Sequence, residues 1–421
     1  MTEKVDLHPN LNSEFDAQSL QFHEALQRID DAITPVTGFE QCAVGAALGR
    51  VLSADVISAI DVPPHDNSAM DGYAVRGDDL PASGEATLRI IGECFAGHPF
   101  TQTLTPGTCV RIMTGGVMPA GSDTVIMQEH AQRKDDRIVI GSTYKRGQHA
   151  RKTGDDIKRG AVVLPKGRKL TPADVGLCAS LGIASVQVYR RIRVAFFSTG
   201  DELRSLGEAL EPGQIYDSNR YTVHAMLTRL GVDILDMGVI RDRRVDIQNA
   251  FVCAAQNADA LITSGGVSVG EADFVRQTLE ALGRVNFWKI AMKPGRPLAF
   301  GTVQNAYFFG LPGNPVSAMV TFYQFVQPAL RRLMGQHTVA NSTLRVPLAA
   351  PIKKIPGRLE FQRGILEQSP DGRMTVRVTG AQGSHILSSM SKANCLVILP
   401  LEMGNSDAGT LVDIQAFEGL I

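Results

Sequence analysis

The feature that most limits what this chain can fold into is the alternation of short apolar runs with helical segments between residues 193 and 334. Strand-like VAFFS (194–198), DILDMGVI (233–240) and ALITS (260–264) alternate with helical patterns over 219–230, 246–258 and 272–282. Strand-like runs at 287–292, 297–301 and 306–310 follow, and then one long helix over 315–334. Strands separated by helices return to the same sheet through crossover connections, so a parallel, doubly wound sheet is expected. Such sheets bind ligands outside the carboxyl ends of their strands. The polar motifs of the region fall at those ends.

The stretch TSGGVSVGEADF (263–274) runs from strand through a glycine-rich turn into a helix. Ser264, Gly265 and Gly266 suit close approach of an anion to free N–H groups, and Glu271 and Asp273 suit a cation held against it. An α/β turn that uses glycine for packing is the plainer alternative. FSTGDEL (197–203) puts Asp201 and Glu202 at the same edge, where paired carboxylates suit Mg²⁺ and a solvated turn is the alternative. Asp217 and Ser218 read as helix caps. Asp242 follows the next strand directly, and acids converging there repel one another unless a cation or proton sits among them. WKIAMKPGRP (288–297) is basic: Lys289, Lys293 and Arg296 suit phosphate or another oxyanion. In GLPGNPVSA (310–318) Asn314 fits a cap, Pro315 the first helical position and Ser317 the first turn.

Earlier in the chain, DVPPHDNSAMDGYAV (61–75) carries Asp66 and Asp71, and Asp71-Gly72 also reads as a hairpin turn. RIMTGG (111–116) offers Thr114 beside two glycines. QHARKTGDDIKRG (148–160) places Arg151 and Lys152 near Asp155 and Asp156, in what reads otherwise as a solvated charge run.

The 421 residues exceed what one core serves; length alone suggests roughly three domains, and the patterning along the chain divides it into four segments. Residues 15–50 and 141–189 form an N-terminal domain, with a helical pattern that begins at Ser13, carries Phe22, Leu26, Ile29 and Ile33 and stops at Pro35, a second around 42–48, and a helix over 171–181 with Thr171 as cap; 51–140 form an inserted β-rich domain. Residues 190–335 form the α/β domain, and 342–421, with five short strands, a C-terminal β-barrel. Residues 1–14 read as a disordered lead-in. With 42 Lys plus Arg against 43 Asp plus Glu, the balance argues for neither nucleic-acid nor membrane partners. Six scattered cysteines read as reduced thiols, and the absence of an apolar leader points to the cytoplasm.

These motifs, in this order, resemble the molybdopterin molybdenumtransferase family, which includes the C-terminal enzymatic domain of gephyrin. The resemblance rests on DNSAMDGYAV, RIMTGG, GDD (154–156), FSTGDEL, IYDSN, TSGGVSVGEADF, WKIAMKPGRP, LPGNPVSA, FQRG (361–364) and GSHILSS (383–389), and it spans residue 20 to the end. It implies the last step of molybdenum cofactor assembly: hydrolysis of adenylylated molybdopterin and insertion of molybdate, assisted by Mg²⁺, with release of AMP. It implies an elongated homodimer whose cleft lies between the α/β domain of one subunit and the N-terminal domains of the other. It also implies dealings with the molybdopterin adenylyltransferase upstream and with molybdoenzyme maturation proteins downstream. By motif position, Asp71, Thr114, Asp156, Glu202, Asp242 and Asp273 are the catalytic set, the last three associated with the metal. Arg151, Lys289, Lys293, Arg296, Pro312, Pro315, Ser317, Arg363 and Ser384 line the substrate and oxyanion side. Where many relatives have KPGKP, Arg296 gives KPGRP, which keeps the charge and adds a fork of donors. Two rivals are the adenylylation of molybdopterin, whose enzymes lack the flanking domains, and a non-catalytic scaffold.

Overall fold

A computed structural model describes residues 19–265, 274–337 and 342–417. They form two compact units, Gln41–Val188 on one side of the division and the chain up to Glu40 with everything from Tyr189 onward on the other. Helix α1, Phe22–Ala32, belongs to the second of these. It buries Phe22, Ala25 and Ile29, and the Phe22 ring lies 5.1 Å from Phe325 and 5.5 Å from Phe361. Sequence reading grouped this helix with 141–189; its apolar stripe instead meets aromatic side chains some three hundred residues away, which periodicity cannot register. The helix expected over 42–48 is also absent. Phe39–Ala43 is a strand and Val44–Ala46 a single 3₁₀ turn, as small residues around Gly45 give little helical drive.

In Gln41–Val188, a core of Cys42, Val44, Leu52, Val56, Leu164, Cys178 and Val188 closes the two ends of the segment together. Between them lies a six-stranded sheet: β1 (Gly72–Val75), β2 (Glu85–Cys94), β3 (Thr108–Ile112), β4 (Thr124–Met127), β5 (Ala131–Lys134) and β6 (Arg137–Gly141). Its order is β4-β1-β3-β2-β6-β5. Tyr73 and Val75 point into one core and Ala74 into the other, the period-two alternation of a sheet covered on both faces. Helix α2, Pro172–Ser180, starts with a capping box in which Thr171 and Asp174 exchange hydrogen bonds.

The α/β sheet comprises β7 (Arg193–Thr199), β8 (Asp233–Ile240), β9 (Ala260–Ser264), β10 (Gly283–Lys289) and, after the short β11 (Met292–Lys293), β12 (Pro297–Val303) and β13 (Ala306–Leu311). Its helices are α3 (Ser218–Leu230), α4 (Arg244–Asn257) and α5 (Phe274–Leu282). The order is β8-β7-β9-β13-β12-β10. The first four strands are parallel, as expected, whereas β12 runs antiparallel to both β13 and β10. The two-residue link between β12 and β13 is too short for a crossover, so a hairpin results. Phe251 anchors the core on one face, edge-on to Phe197 at 5.2 Å and Phe308 at 5.7 Å.

The helix expected over 315–334 is α6 (Pro315–Thr321), a π segment (Phe322–Val326) and α7 (Gln327–Leu333). Pro328 at the start of α7 has no N–H to give the preceding turn, which accounts for the local widening. The C-terminal strands are β14 (Leu344–Pro347), β15 (Leu359–Gln368), β16 (Met374–Val378), β17 (Cys395–Leu399) and β18 (Leu411–Ala416), with helix α8 (Leu387–Lys392) before β17. All five expected strands are present, and β11 joins them as a sixth through parallel pairing with β15. Among the described residues no helix is long and apolar enough to cross a membrane.

Candidate active site

Strand direction decides which residues can meet. Asp242, Glu202, Gly265 and Pro312 follow the carboxyl ends of four adjacent parallel strands, β8, β7, β9 and β13. Two antiparallel steps restore the original direction at β10, so Lys289 ends its strand on that same edge, and Arg296 precedes β12 there. Acids and bases therefore share one edge of one sheet.

On the acid side, the Asp242 N–H donates to Asp201 Oδ1 at 3.3 Å. Burial, then the charges of Asp201 and Glu202, raise the pKa of the Asp242 carboxyl above the ordinary value. Among the described residues no three acids, cysteines or histidines form a ready-made metal cage. The oxygen-only donor set nevertheless fits Mg²⁺, which takes one or two carboxylates and keeps its waters, and mutual repulsion at Asp242 is what a cation would relieve. Asp273 and Gly266 lie outside the described residues.

Two further side chains build the wall beside these acids. Asp217 caps α3 by accepting from the Arg220 N–H at 3.1 Å. Asn219 Nδ2 donates to Ser264 Oγ at 2.8 Å and to the Gly313 carbonyl at 2.7 Å, tying the turn after β9 to the LPGNP turn. Gly265 has φ +91°, and a Cβ there would sit 2.8 Å from the Thr199 carbonyl. We expect Gly265→Ala to cost about 1–2 kcal/mol in the left-handed conformation alone, and more once the β7 terminus is displaced. Urea unfolding checks it, with an unchanged midpoint as the contrary result.

The basic turn is closed by the Ile290 N–H donating to the Arg296 carbonyl at 2.7 Å. Gly295, at φ +97°, passes so close to α6 that a Cβ would lie 2.6 Å from Thr321 Oγ1. Lys289 is exposed despite its apolar neighbours. Lys293, half-exposed, donates to Glu360 Oε1 at 3.0 Å, and Arg296 Nη2 donates to Ser19 Oγ at 3.1 Å. Pro312 and Ser317 are buried, and Pro315 opens α6. Asn314 precedes α6 but makes no side-chain cap. The Val316 N–H of that first turn donates to the Ser384 carbonyl at 3.1 Å, so one donor of this helix start is engaged by protein.

Arg363 is fully buried. Its Nε donates to Ser389 Oγ at 2.9 Å and its Nη2 to the Gly383 carbonyl at 3.0 Å, gripping the loop that carries Ser384. Burial lowers the pKa of the guanidinium to about 10.

In Gln41–Val188 a second cluster forms. Asp71 accepts from both the N–H and the Oγ1 of Thr114 at 2.7 Å, which lowers the pKa of its carboxyl below the ordinary range. Asp71 is thus more than a hairpin residue. Asp66 accepts from Lys152 Nζ at 2.8 Å and from the Thr153 N–H and hydroxyl at 2.9 and 3.0 Å. Arg151 pairs with Asn67 in a short ladder, and Ser68 exchanges backbone hydrogen bonds with Gly115 and Gly116. The loop 66–72 is thereby stitched between the RIMTGG turn and the 150–153 segment. Asp156, exposed, is fixed nearby through its N–H to the Val62 carbonyl at 2.9 Å.

Three family models match along the chain: the MoeA N-terminal region (domain I and II) over residues 20–182, the probable molybdopterin binding domain over 195–332 and the MoeA C-terminal region (domain IV) over 345–417. A molybdopterin molybdenumtransferase of Haemophilus influenzae is 46% identical over 410 residues, 96% of this chain and all of that protein. The chain belongs to the MoeA family of molybdopterin molybdenumtransferases. Gephyrin of Dictyostelium discoideum is 34% identical over 89% of this chain and 58% of its own length. The crystal structure of a molybdopterin biosynthesis MoeA protein from Pyrococcus horikoshii OT3 superposes with a TM-score of 0.82 at 30% identity, covering 95% of this chain and all of that one.

Family motifs direct attention to Asp71, Thr114 and Glu202, but they pass over residues whose part is visible only in space. Glu360 is one such residue, and Asp66 and Asn219, though inside quoted motifs, also join segments far apart in sequence. Asp201 was noted beside Glu202, but its hold on Asp242 was not legible.

Proposed function

We propose that this member of the family inserts molybdate into adenylylated molybdopterin, hydrolysing the adenylate and releasing AMP, with Mg²⁺ bound by Glu202, Asp242 and Asp273. The observation that carries this reading is the shared sheet edge, where acids after β7 and β8 face the same way as the basic turn before β12. Held by these carboxylates, Mg²⁺ would supply positive charge against the phosphates. A carboxylate of this set would orient the attacking water and take its proton as AMP leaves. Lys289, Lys293 and Arg296 offset the charge of phosphate and incoming molybdate. Ser264 and Gly265 bring the backbone close to the substrate. Arg363 positions the loop bearing Ser384 beside the start of α6.

Asp71, Thr114, Arg151 and Asp156 enter the centre of a second subunit in the same proposal, making the active protein a cytoplasmic homodimer. The adenylyltransferase that makes the substrate and the proteins that mature molybdoenzymes are its proposed partners. Two tests follow. Purified protein given adenylylated molybdopterin is expected to release AMP only with Mg²⁺ present; release undiminished by a chelator removes the metal from the scheme. Second, inactive Asp71→Ala and Asp242→Ala chains are mixed, and heterodimers isolated through distinct tags. One intact centre per heterodimer restores about half the wild-type rate, whereas heterodimers without activity exclude the shared cleft.

A further inference from the structure

The proposed oxyanion subsite carries its own counter-ion. Glu360, on β15, is 5% exposed, and its Oε1 accepts from Lys293 Nζ at 3.0 Å and from Gln362 Nε2 at 3.1 Å. Strand pairing places Glu360 directly opposite Lys293, so the contact is fixed by register and not by a chance side-chain reach. Lys293 is half-exposed, with one side on Glu360 and the other open. Two buried cations share the same carboxylate at longer range. Lys354 is 4% exposed and donates only to carbonyls, those of Met403 at 2.8 Å and of Ile355 and Leu401 at 3.4 Å. Arg363 is 1% exposed; burial lowers the pKa of both groups, and the charge of Glu360 works against that loss. Arg358 and Glu402, of opposite sign, also act on Lys354 and offset one another. Three cations against one carboxylate leave two positive charges in excess, the complement of a dianion such as molybdate.

We infer that Glu360 tempers the oxyanion subsite, competing with the incoming dianion for the Lys293 ammonium. The subsite then binds molybdate firmly enough to fill and loosely enough to pass it on. This inference rests on the proposed role of Lys293 as an oxyanion ligand.

The experiment measures dissociation constants for molybdate and sulfate by equilibrium dialysis, on the full-length wild type and on Glu360→Gln, Glu360→Asp, Lys293→Met and the Glu360→Gln/Lys293→Met double variant. Removing one nearby negative charge at a partly solvated site is expected to tighten both anions about tenfold in Glu360→Gln, and the gain should shrink as salt is added. It should vanish in the Lys293→Met background. Glu360→Asp, which withdraws the carboxylate by one methylene, should give about threefold; it serves as the test if the glutamine variant does not fold. Unchanged or weaker binding in a folded Glu360 variant overturns the inference. Wild-type binding by Lys293→Met would instead overturn the assignment of the subsite itself.

Discussion

Asp242→Asn is expected to leave the fold intact, resist denaturation slightly better than the wild type near neutral pH, and turn over about 10²–10⁴-fold more slowly. The two effects have one cause. Burial and the neighbouring charges of Asp201 and Glu202 disfavour the ionised carboxylate, so the folded protein holds the Asp242 proton more tightly than the unfolded chain does. A raised carboxyl pKa adds stability that is present in full below the unfolded value, near 3.8, and is lost as pH rises through the folded one. Asparagine copies the protonated form without that loss. The gain should therefore appear above the folded pKa and be absent at low pH. Because Asp242 is only half-buried, its size should be a few tenths of a kcal/mol. Urea melts at several pH values check the stability arm and AMP release checks the rate. A variant that loses stability and keeps its rate would place Asp242 in the scaffold and outside the chemistry.

Arg363→Ala is expected to destabilise the C-terminal sheet by about 3–5 kcal/mol and to abolish turnover with it. The largest fully buried side chain would leave a void, and Ser389 Oγ and the Gly383 carbonyl would lose their donors in a place water reaches poorly. The loop holding Ser384 would then be free to leave the Val316 N–H at the start of α6. Arg363→Met separates the causes, since it keeps most of the volume and none of the hydrogen bonds. It should recover about half the stability and little of the activity. Full recovery of activity by methionine would show that Arg363 serves packing alone.

The sequence disclosed the α/β domain well because its helices and strands announce themselves by period. VAFFS, DILDMGVI and ALITS are strands where expected, and Asp217 caps the helix that follows it. Sequence reading was weaker where partners decide. The short link after β12 signals a hairpin that a wholly parallel reading overlooks, and Met292–Lys293 reads as part of a basic turn until β15 pairs with it. Helix α1 was visible, but the aromatic cluster that receives it was not. The acids at the sheet edge were legible because strand ends are where ligands bind. By contrast, the placing of Asp71 and Thr114 in one functional set came from motif resemblance, while their contact across 43 residues and the Asn219 link to Gly313 across 94 are visible only in space.

The most direct test of the central claim is the ratio of molybdenum bound to AMP released in a single turnover, measured on purified protein given adenylylated molybdopterin, Mg²⁺ and molybdate. Coupling of hydrolysis and insertion in one centre requires one molybdenum retained per AMP, with retention lost in Lys293→Met. AMP released in full while no molybdenum is retained would contradict the insertion reaction and reduce the chain to a hydrolase.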